Sequence, residues 1–268
     1  MSSPHERPKP VTTPEELEAA LGPALESVRS SYDETPDATN ERDGRDLDED
    51  RYWTDWHALH ALQSGDVALV EPRIIALASD PRWEARALVP EVLRHLTGPY
   101  DPLATRGKRT LGEPAIARAW FLCAMANVER DARVLNAIVC AFVDLKHEVG
   151  DEAAAAFACR FVEHTDASVR RSAVVVLCAN RIPVAVAALL PRTRDTDADV
   201  RTWACFGLGT QLWRPRAVEA IDTLEIRETL AASLDDSFVD AREEAATGLA
   251  RRGDERGLAA VVDALRRF

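Results

Sequence analysis

The stretch DADVRTWACFGL, from Asp197 to Leu208, decides the fold of this chain because its pattern occurs five times. In each copy an acidic residue stands near the start, an arginine follows, and mostly apolar residues recur three, six and seven positions after the arginine. At 100° per residue these positions share one face of a helix. The pattern therefore predicts five helices that are each buried along one side. The copies align on Arg86, Arg133, Arg170, Arg201 and Arg242.

Other apolar stretches of about one helix each lie between these copies, for example PVAVAALLPRT from Pro183. The aligned arginines are spaced by 47, 37, 31 and 41 residues, so each period holds one helix pair and a connection. Helix pairs at such periods are typical of α-solenoids, in which each pair is stable only on its neighbours. We therefore predict an all-α fold: an α-solenoid of about five helix pairs, with an N-terminal helical cap and a C-terminal capping helix.

The lines DADVRTWACFGLG and DAREEAATGLARRGD resemble the second helix of HEAT repeats, particularly the short bacterial repeats of phycobilin-lyase-like proteins. The resemblance covers roughly residues 66–268. The copy at Arg133 departs from it, because Asn136 stands where the other copies have Val or Ala. The resemblance implies a right-handed superhelix whose arginine-bearing helices line the concave side. It implies no activity, since HEAT-repeat proteins include adaptors, inhibitors and a few enzymes.

The chain divides into residues 1–50, a proline-rich start with one helix and a flexible acidic linker, and residues 51–268, the solenoid. Thr13, Pro14 and Glu16 form a capping box, and Gly22 and Pro23 predict a kink or a split in the helix that follows. Residues 1–50 carry 14 acidic and 5 basic residues, so most of the net charge of -12 lies there. A solvated linker is the favoured interpretation, and docking on a basic partner is the alternative.

Several functional classes are disfavoured by composition. No apolar run is long enough to span a membrane, and the start MSSPHERPKP does not resemble a secretion signal, so we expect a cytoplasmic protein. The five cysteines stand singly within predicted helices, which indicates reduced thiols and not a disulfide framework.

We expect no metal and no cofactor. A zinc site needs three or four ligands, and beside His57 and His60, with Asp55 close by, no further ligand stands at a suitable spacing. A diiron hydroxylase built from similar repeats carries several His-Glu pairs, whereas this chain has a single internal pair, His147–Glu148.

Catalytic motifs are also missing from the sequence. The GK of TRGKRT, residues 105–110, lacks the glycine spacing of a phosphate-binding loop, and no GxSxG occurs. We therefore expect that the protein is not an enzyme. Two alternatives are a HEAT-like DNA glycosylase or other nucleic-acid-binding repeat protein, and a phycobilin-lyase-like protein that handles a chromophore. Nucleic-acid binding is opposed by the near-neutral to acidic solenoid. The tryptophans that a glycosylase would use are Trp83, Trp120, Trp203 and Trp213.

The helix face opposite the buried stripe carries the first, fifth, eighth and twelfth residues after each arginine, and we predict that it lies on the concave side. In the three middle copies this face is largely apolar, which predicts a surface that binds a helix or peptide of another, unidentified protein. The alternative is that curvature or the N-terminal helix buries this band as core. The predicted partner-binding residues are Val134, Ile138, Arg171, Val175, Phe206 and Trp213, with loop contacts from Arg106, Lys108 and Arg109. The sequence thus favours a non-catalytic interaction scaffold or adaptor.

Overall fold

The computed structural model describes residues 8–33, 57–96, 112–178, 180–212 and 221–266, and all regular structure in these ranges is helical. The acidic linker 34–50 and Asp55 lie outside the described residues. In chain order the helices are α1 (Pro14–Asp33), α2 (57–63), α3 (Val67–Ala76), α4 (Trp83–Leu93), α5 (Gly112–Val128), α6 (Ala132–Val149), α7 (Asp151–Ala158), α8 (Ala167–Leu177), α9 (Pro183–Leu189), α10 (Ala198–Phe206), α11 (Leu224–Ala232), α12 (Val239–Arg251) and α13 (Glu255–Leu265).

The prediction of an all-α solenoid built from helix pairs is confirmed. Helices α3 and α4, α5 and α6, α7 and α8, α9 and α10, and α11 and α12 follow one another as pairs. In three pairs a short 3₁₀ turn ends the first helix: Leu77–Ser79, Leu190–Arg194 and Ser233–Asp235. The chain forms two compact units, Met1–Asp144 and Leu145–Phe268.

In the first unit, α1 packs against α4 through an apolar stripe that is almost completely buried. The predicted capping box is present: the amide of Glu16 donates to Thr13 Oγ1 at 3.2 Å, and the amide of Thr13 donates to Glu16 Oε2 at 3.2 Å. The amide of Thr12 also donates to Glu16 Oε2, at 2.9 Å. Gly22 and Pro23 do not divide the helix, which runs unbroken from Pro14 to Asp33, so the split predicted there is wrong. Pro23 therefore lies inside the helix, more than two turns after its start. The stripe consists of Leu17, Leu21, Ala24 and Val28.

In the second unit, α8, α10 and α12 pack on one another through the predicted columns. Asp166 and Asp197 cap α8 and α10, because their carboxylates accept hydrogen bonds from first-turn amides. A π-helical segment, Gly207–Gln211, follows α10 and brings Gly209 against Gly248 of α12. A Cβ on Gly248 would lie 2.5 Å from the Gly209 Cα, so glycine is required for this close approach. The fully buried column residues are Val169, Ala173, Val176, Leu177, Val200, Ala204, Leu208, Ala241, Ala245 and Leu249.

The buried Arg252 secures the end of this stack. Its guanidinium donates to the carbonyls of Leu208 and Gly209, each at 2.6 Å, and of Gly248 at 2.8 Å. These carbonyls lie where regular α-helical hydrogen bonding is interrupted, and each would be costly to leave without a donor in the core. Arg252 therefore supplies hydrogen-bond donors to the backbone carbonyls beside the close contact of Gly209 with Gly248.

Candidate functional site

The repeated arginine forms a ladder that joins consecutive helix pairs. Arg170 donates from Nη1 to the carbonyls of His164 and Thr165, at 2.9 and 3.0 Å, and so closes its own turn. Its Nη2 and Nε atoms donate to the two carboxylate oxygens of Asp195, in the next pair, at 2.7 and 3.0 Å. Arg201 repeats both contacts, with the Asp195 carbonyl at 3.0 Å and the Asp236 carboxylate at 2.7 and 2.9 Å.

Among the described residues of the first unit, Arg86 makes the same two kinds of contact. Arg86 donates from Nη1 to the Asp80 carbonyl at 2.9 Å and from Nε to Glu129 Oε2 at 2.8 Å. Burial by itself raises the pKa of Glu129, but the hydrogen bonds from Arg86 and from nearby amides outweigh it and hold the pKa below its ordinary value. For Asp236 the hydrogen bond from Arg201 is the largest influence and lowers the pKa. The ladder carboxylates are therefore charged at neutral pH, and the ladder stabilises the stack.

The ladder corrects the alignment of the copy at Arg133. Each ladder arginine stands six residues after the turn residue whose carbonyl it binds, which is His164 for Arg170 and Asp195 for Arg201. Glu129 is the turn residue before α6, and six residues after it stands Leu135. Arg133 is not a ladder residue: its guanidinium binds the Asp131 carboxylate at 2.7 Å, and its side chain is 44% exposed. A shift of two residues turns a helix by about 200°, which exchanges its two faces. The sequence alignment therefore assigned the wrong face of α6 to the binding surface.

Val134 and Ile138 were predicted on that surface, and the structure contradicts this, because both are 0% exposed. The N-terminal helix also reaches this part of α6: Tyr32 donates from Oη to the Arg133 carbonyl at 2.9 Å and accepts from Asn136 Nδ2 at 3.2 Å. Burial is the largest influence on the Tyr32 hydroxyl and raises its pKa to about 12. The band in α6 is therefore core, as the alternative interpretation of the sequence allowed.

The predicted residues on α8 and α10 form a surface that remains accessible. Arg171, Val175 and Phe206 are each half-buried. Trp203, which the sequence did not assign to this set, is 37% exposed and meets Phe206 edge to face, with ring centroids 5.4 Å apart. We call Arg171, Val175, Trp203 and Phe206 the α8–α10 surface. Trp213 and the loop residues Arg106, Lys108 and Arg109 lie outside the described residues.

Charged groups border the α8–α10 surface. Arg171 Nη1 lies 3.5 Å from Asp199 Oδ2, and the two side chains are 41% and 53% exposed, so this ion pair contributes little stability. Beyond the end of α10, Thr210 Oγ1 of the π-helical segment donates to Glu244 Oε2 of α12 at 3.3 Å. Burial raises the pKa of Glu244. The arrangement offers apolar and aromatic contact area with a cation and carboxylates beside it.

Within the described residues, no group of three or more His, Cys, Asp or Glu side chains is arranged to hold a metal ion. Of the tryptophans that a glycosylase would use, Trp120 is 69% exposed on α5. Trp83 is stacked under the Arg133 guanidinium, 3.9 Å from the ring centroid, and Trp203 is paired with Phe206. No helix within these ranges is long and apolar enough to cross a membrane.

No family model matches the chain, and no curated protein matches it by sequence. The fold is similar to that of YibA from Escherichia coli, with a TM-score of 0.60 and 17% identity, over 94% of this chain and 80% of that chain. It is also similar to an engineered protein, with a TM-score of 0.50 and 18% identity, over 92% of this chain and 66% of that chain. At these identities the similarity shows the fold alone, a helical repeat fold.

Proposed function

We propose that the protein is a non-catalytic scaffold of the HEAT-repeat type, which binds a helix or an extended apolar peptide of another protein on its α8–α10 surface. The observation that carries the proposal is the Trp203–Phe206 pair, an aromatic pair that stays accessible on a helix whose other face is fully buried. Tryptophan beside other apolar groups is the commonest kind of energetic centre in protein interfaces.

The charges around the pair support a partner with both apolar and polar groups. Val175 extends the apolar area onto α8, and Arg171 beside Asp199 offers one group of each sign at its edge. An amphipathic helix matches this arrangement, since its apolar face covers the aromatic pair while its flanking charges meet the two edge residues. We also propose a reducing cytoplasmic setting, because the five cysteines stand singly in the sequence and Cys178 and Cys205 are buried within the helical core.

The test compares affinity capture from the native host by the wild-type chain and by variants, with mass spectrometry of the captured proteins. We expect Trp203→Ala with Phe206→Ala to lose a captured protein that the wild type retains. Trp120→Ala is the matched control, because Trp120 is an exposed tryptophan on α5, in the other unit. The proposal also requires that the double variant unfold at nearly the wild-type temperature. An unchanged set of captured proteins, or a large loss of thermal stability, would show that these aromatics are structural.

A further inference from the structure

Arg242 occupies the last ladder position, and only half of its contacts are made within the described chain. Its Nη1 donates to the carbonyls of Asp236 and Ser237, at 2.6 and 3.0 Å, as Arg170 and Arg201 do in their own turns. In those two residues the Nε and Nη2 edge holds the carboxylate of the following pair. Among the described residues, none forms an ion pair with that edge of Arg242. The last ladder arginine thus presents a carboxylate-binding edge without its carboxylate.

Among the described residues, no helix covers α13 as the second helix of a pair covers the first. It begins 13 residues after Arg242, just as α9 begins 13 residues after Arg170, so α13 takes the place of the first helix of a further pair. The seventh residues of α9 and α11, Leu189 and Leu230, are fully buried beneath their second helices. The seventh residue of α13 is Val261, which is only half-buried. Within the described ranges no second helix follows α13.

The place of that second helix is an open groove of about 690 Å³ between α12 and α13. Val239, Val261 and Leu265 provide apolar lining, and Val239 and Leu265 are 46% and 70% exposed. Arg242 lines the same groove, with Asp235 and Glu243 beside it. Asp263 of α13 is a third carboxylate in the lining, and it lies 3.4 Å from Arg266. The groove therefore combines apolar area, one cation with an unfilled carboxylate edge, and three carboxylates.

We propose that this groove binds a helix of another protein that is preceded by a carboxylate, so that the partner completes the ladder in trans. Arg242 would hold the partner carboxylate with the two-bond geometry of the internal ladder, and the apolar face of the partner helix would cover Val239 and Val261. This surface consists of α12 and α13 residues, and the proposal stands independently of the α8–α10 surface.

The internal junction between α8 and α10 specifies the charges of the partner. There Arg192 Nη2 lies 3.8 Å from Glu163 Oε1, and Arg171 lies 3.5 Å from Asp199. Glu163 directly precedes the turn residue His164, as Asp235 precedes Asp236. Arg171 directly follows a ladder arginine, as Glu243 follows Arg242. The partner should therefore carry one cation three residues before its carboxylate, opposite Asp235, and another cation four residues after it, opposite Glu243.

The chain supplies its own probe for this prediction. A labelled peptide of residues 190–208 with Asp199→Lys carries Arg192, Asp195 and a cation four residues after Asp195. Its binding to the full chain is measured by fluorescence anisotropy. We expect saturable binding that weakens about tenfold or more with Arg242→Gln in the protein, or with Asp195→Asn in the peptide, because each removes a charged hydrogen-bonding partner. Arg251→Gln is the matched control, since Arg251 is an exposed arginine of α12 that does not line the groove.

A charge swap separates specific docking from a general effect on folding. The wild-type chain should prefer the Asp199→Lys peptide, and the Glu243→Lys chain should prefer the peptide with the native Asp199. Reversal of the preference supports the proposal. No binding at about 1 mM peptide, the weak limit of specific association, would overturn it, and so would equal affinities for the wild-type and Arg242→Gln chains. Concentration-dependent dimerisation that Arg242→Gln abolishes would also overturn it, because the occupant would then be a second copy of this chain.

Discussion

Arg201 and Asp236 are joined by two hydrogen bonds, from Nε at 2.7 Å and from Nη2 at 2.9 Å, and their side chains are only 14% and 9% exposed. The same arginine closes its own turn through the Asp195 carbonyl. One side chain thus fixes both the entry of α10 and the position of the next helix pair. This dual role explains why arginine recurs at this place in the sequence, where its planar fork of donors can serve two acceptors at once.

We predict that Asp236→Asn lowers the free energy of unfolding by about 2 kcal/mol, because it leaves the Arg201 guanidinium partly buried without its counter-charge. Chemical denaturation followed by circular dichroism measures the change. Asp240→Asn is the control, since Asp240 is exposed in the first turn of α12, and it should cost less than about 0.5 kcal/mol. Equal effects of the two substitutions would contradict a stabilising role of the ladder.

The corrected register of α6 predicts different costs for two arginines that align in the sequence. Arg170→Ala should destabilise the chain by about 2–3 kcal/mol, because the Asp195 carboxylate loses its two guanidinium hydrogen bonds and two turn carbonyls lose their donor. The carboxylate keeps the Asp197 amide at 3.0 Å and Arg192 at 3.5 Å. Arg133→Ala should cost about 1 kcal/mol, because Arg133 is 44% exposed, binds an acid two residues away and otherwise stacks on Trp83. Urea unfolding of both variants measures the two losses of stability. Similar costs would restore the original alignment of the five copies.

The contact of Gly209 with Gly248 predicts that Gly248→Ala destabilises the chain by about 2 kcal/mol or more, because the new methyl group meets the Gly209 backbone and α10 and α12 must move apart. Gly22→Ala is the matched control. Gly22 lies within α1, and a Cβ there would meet nothing within 4 Å outside its chain neighbours. Alanine at this position should change the stability by less than about 1 kcal/mol, because its gain in helix propensity is opposed by the ring of the following Pro23. Thermal unfolding should therefore show a clear loss for Gly248→Ala and a much smaller change for Gly22→Ala.

The capping box of α1 predicts a specific acid titration. Hydrogen bonds from the backbone of Thr12 and from Lys9 lower the pKa of Glu16 from 4.5 to about 2. A carboxylate with a depressed pKa contributes stability above its unfolded pKa and loses it as the pH falls through the folded value. The amide resonances of Thr12 and Thr13 should therefore keep their native shifts below pH 4.5 and titrate with a midpoint of about 2. A midpoint near 4.5 would show that the box is open in solution.

The sequence predicted the helical elements and the buried columns of α8, α10 and α12 well, because a stripe at 100° spacing is a local property of each helix. It predicted the surface less well. The departure of Asn136 from its column was the available signal that the copy at Arg133 was misaligned. The six-residue spacing from the turn residue to the ladder arginine, counted from Glu129, leads to Leu135. Trp203 was missed because it lies off the chosen positions, although it packs directly on Phe206.

By itself, the amino-acid sequence determined that the chain is all-helical, that the helices come in pairs, and which side of most helices is buried. Only the tertiary structure decided which apolar residues remain accessible. Burial of Val134 and Ile138 depends on the register of α6 and on neighbours distant in sequence, and the unfilled edge of Arg242 depends on what packs beyond α12. The periodicity of apolar residues is encoded within one helix, whereas the exposure of a side chain depends on which other elements pack against that helix.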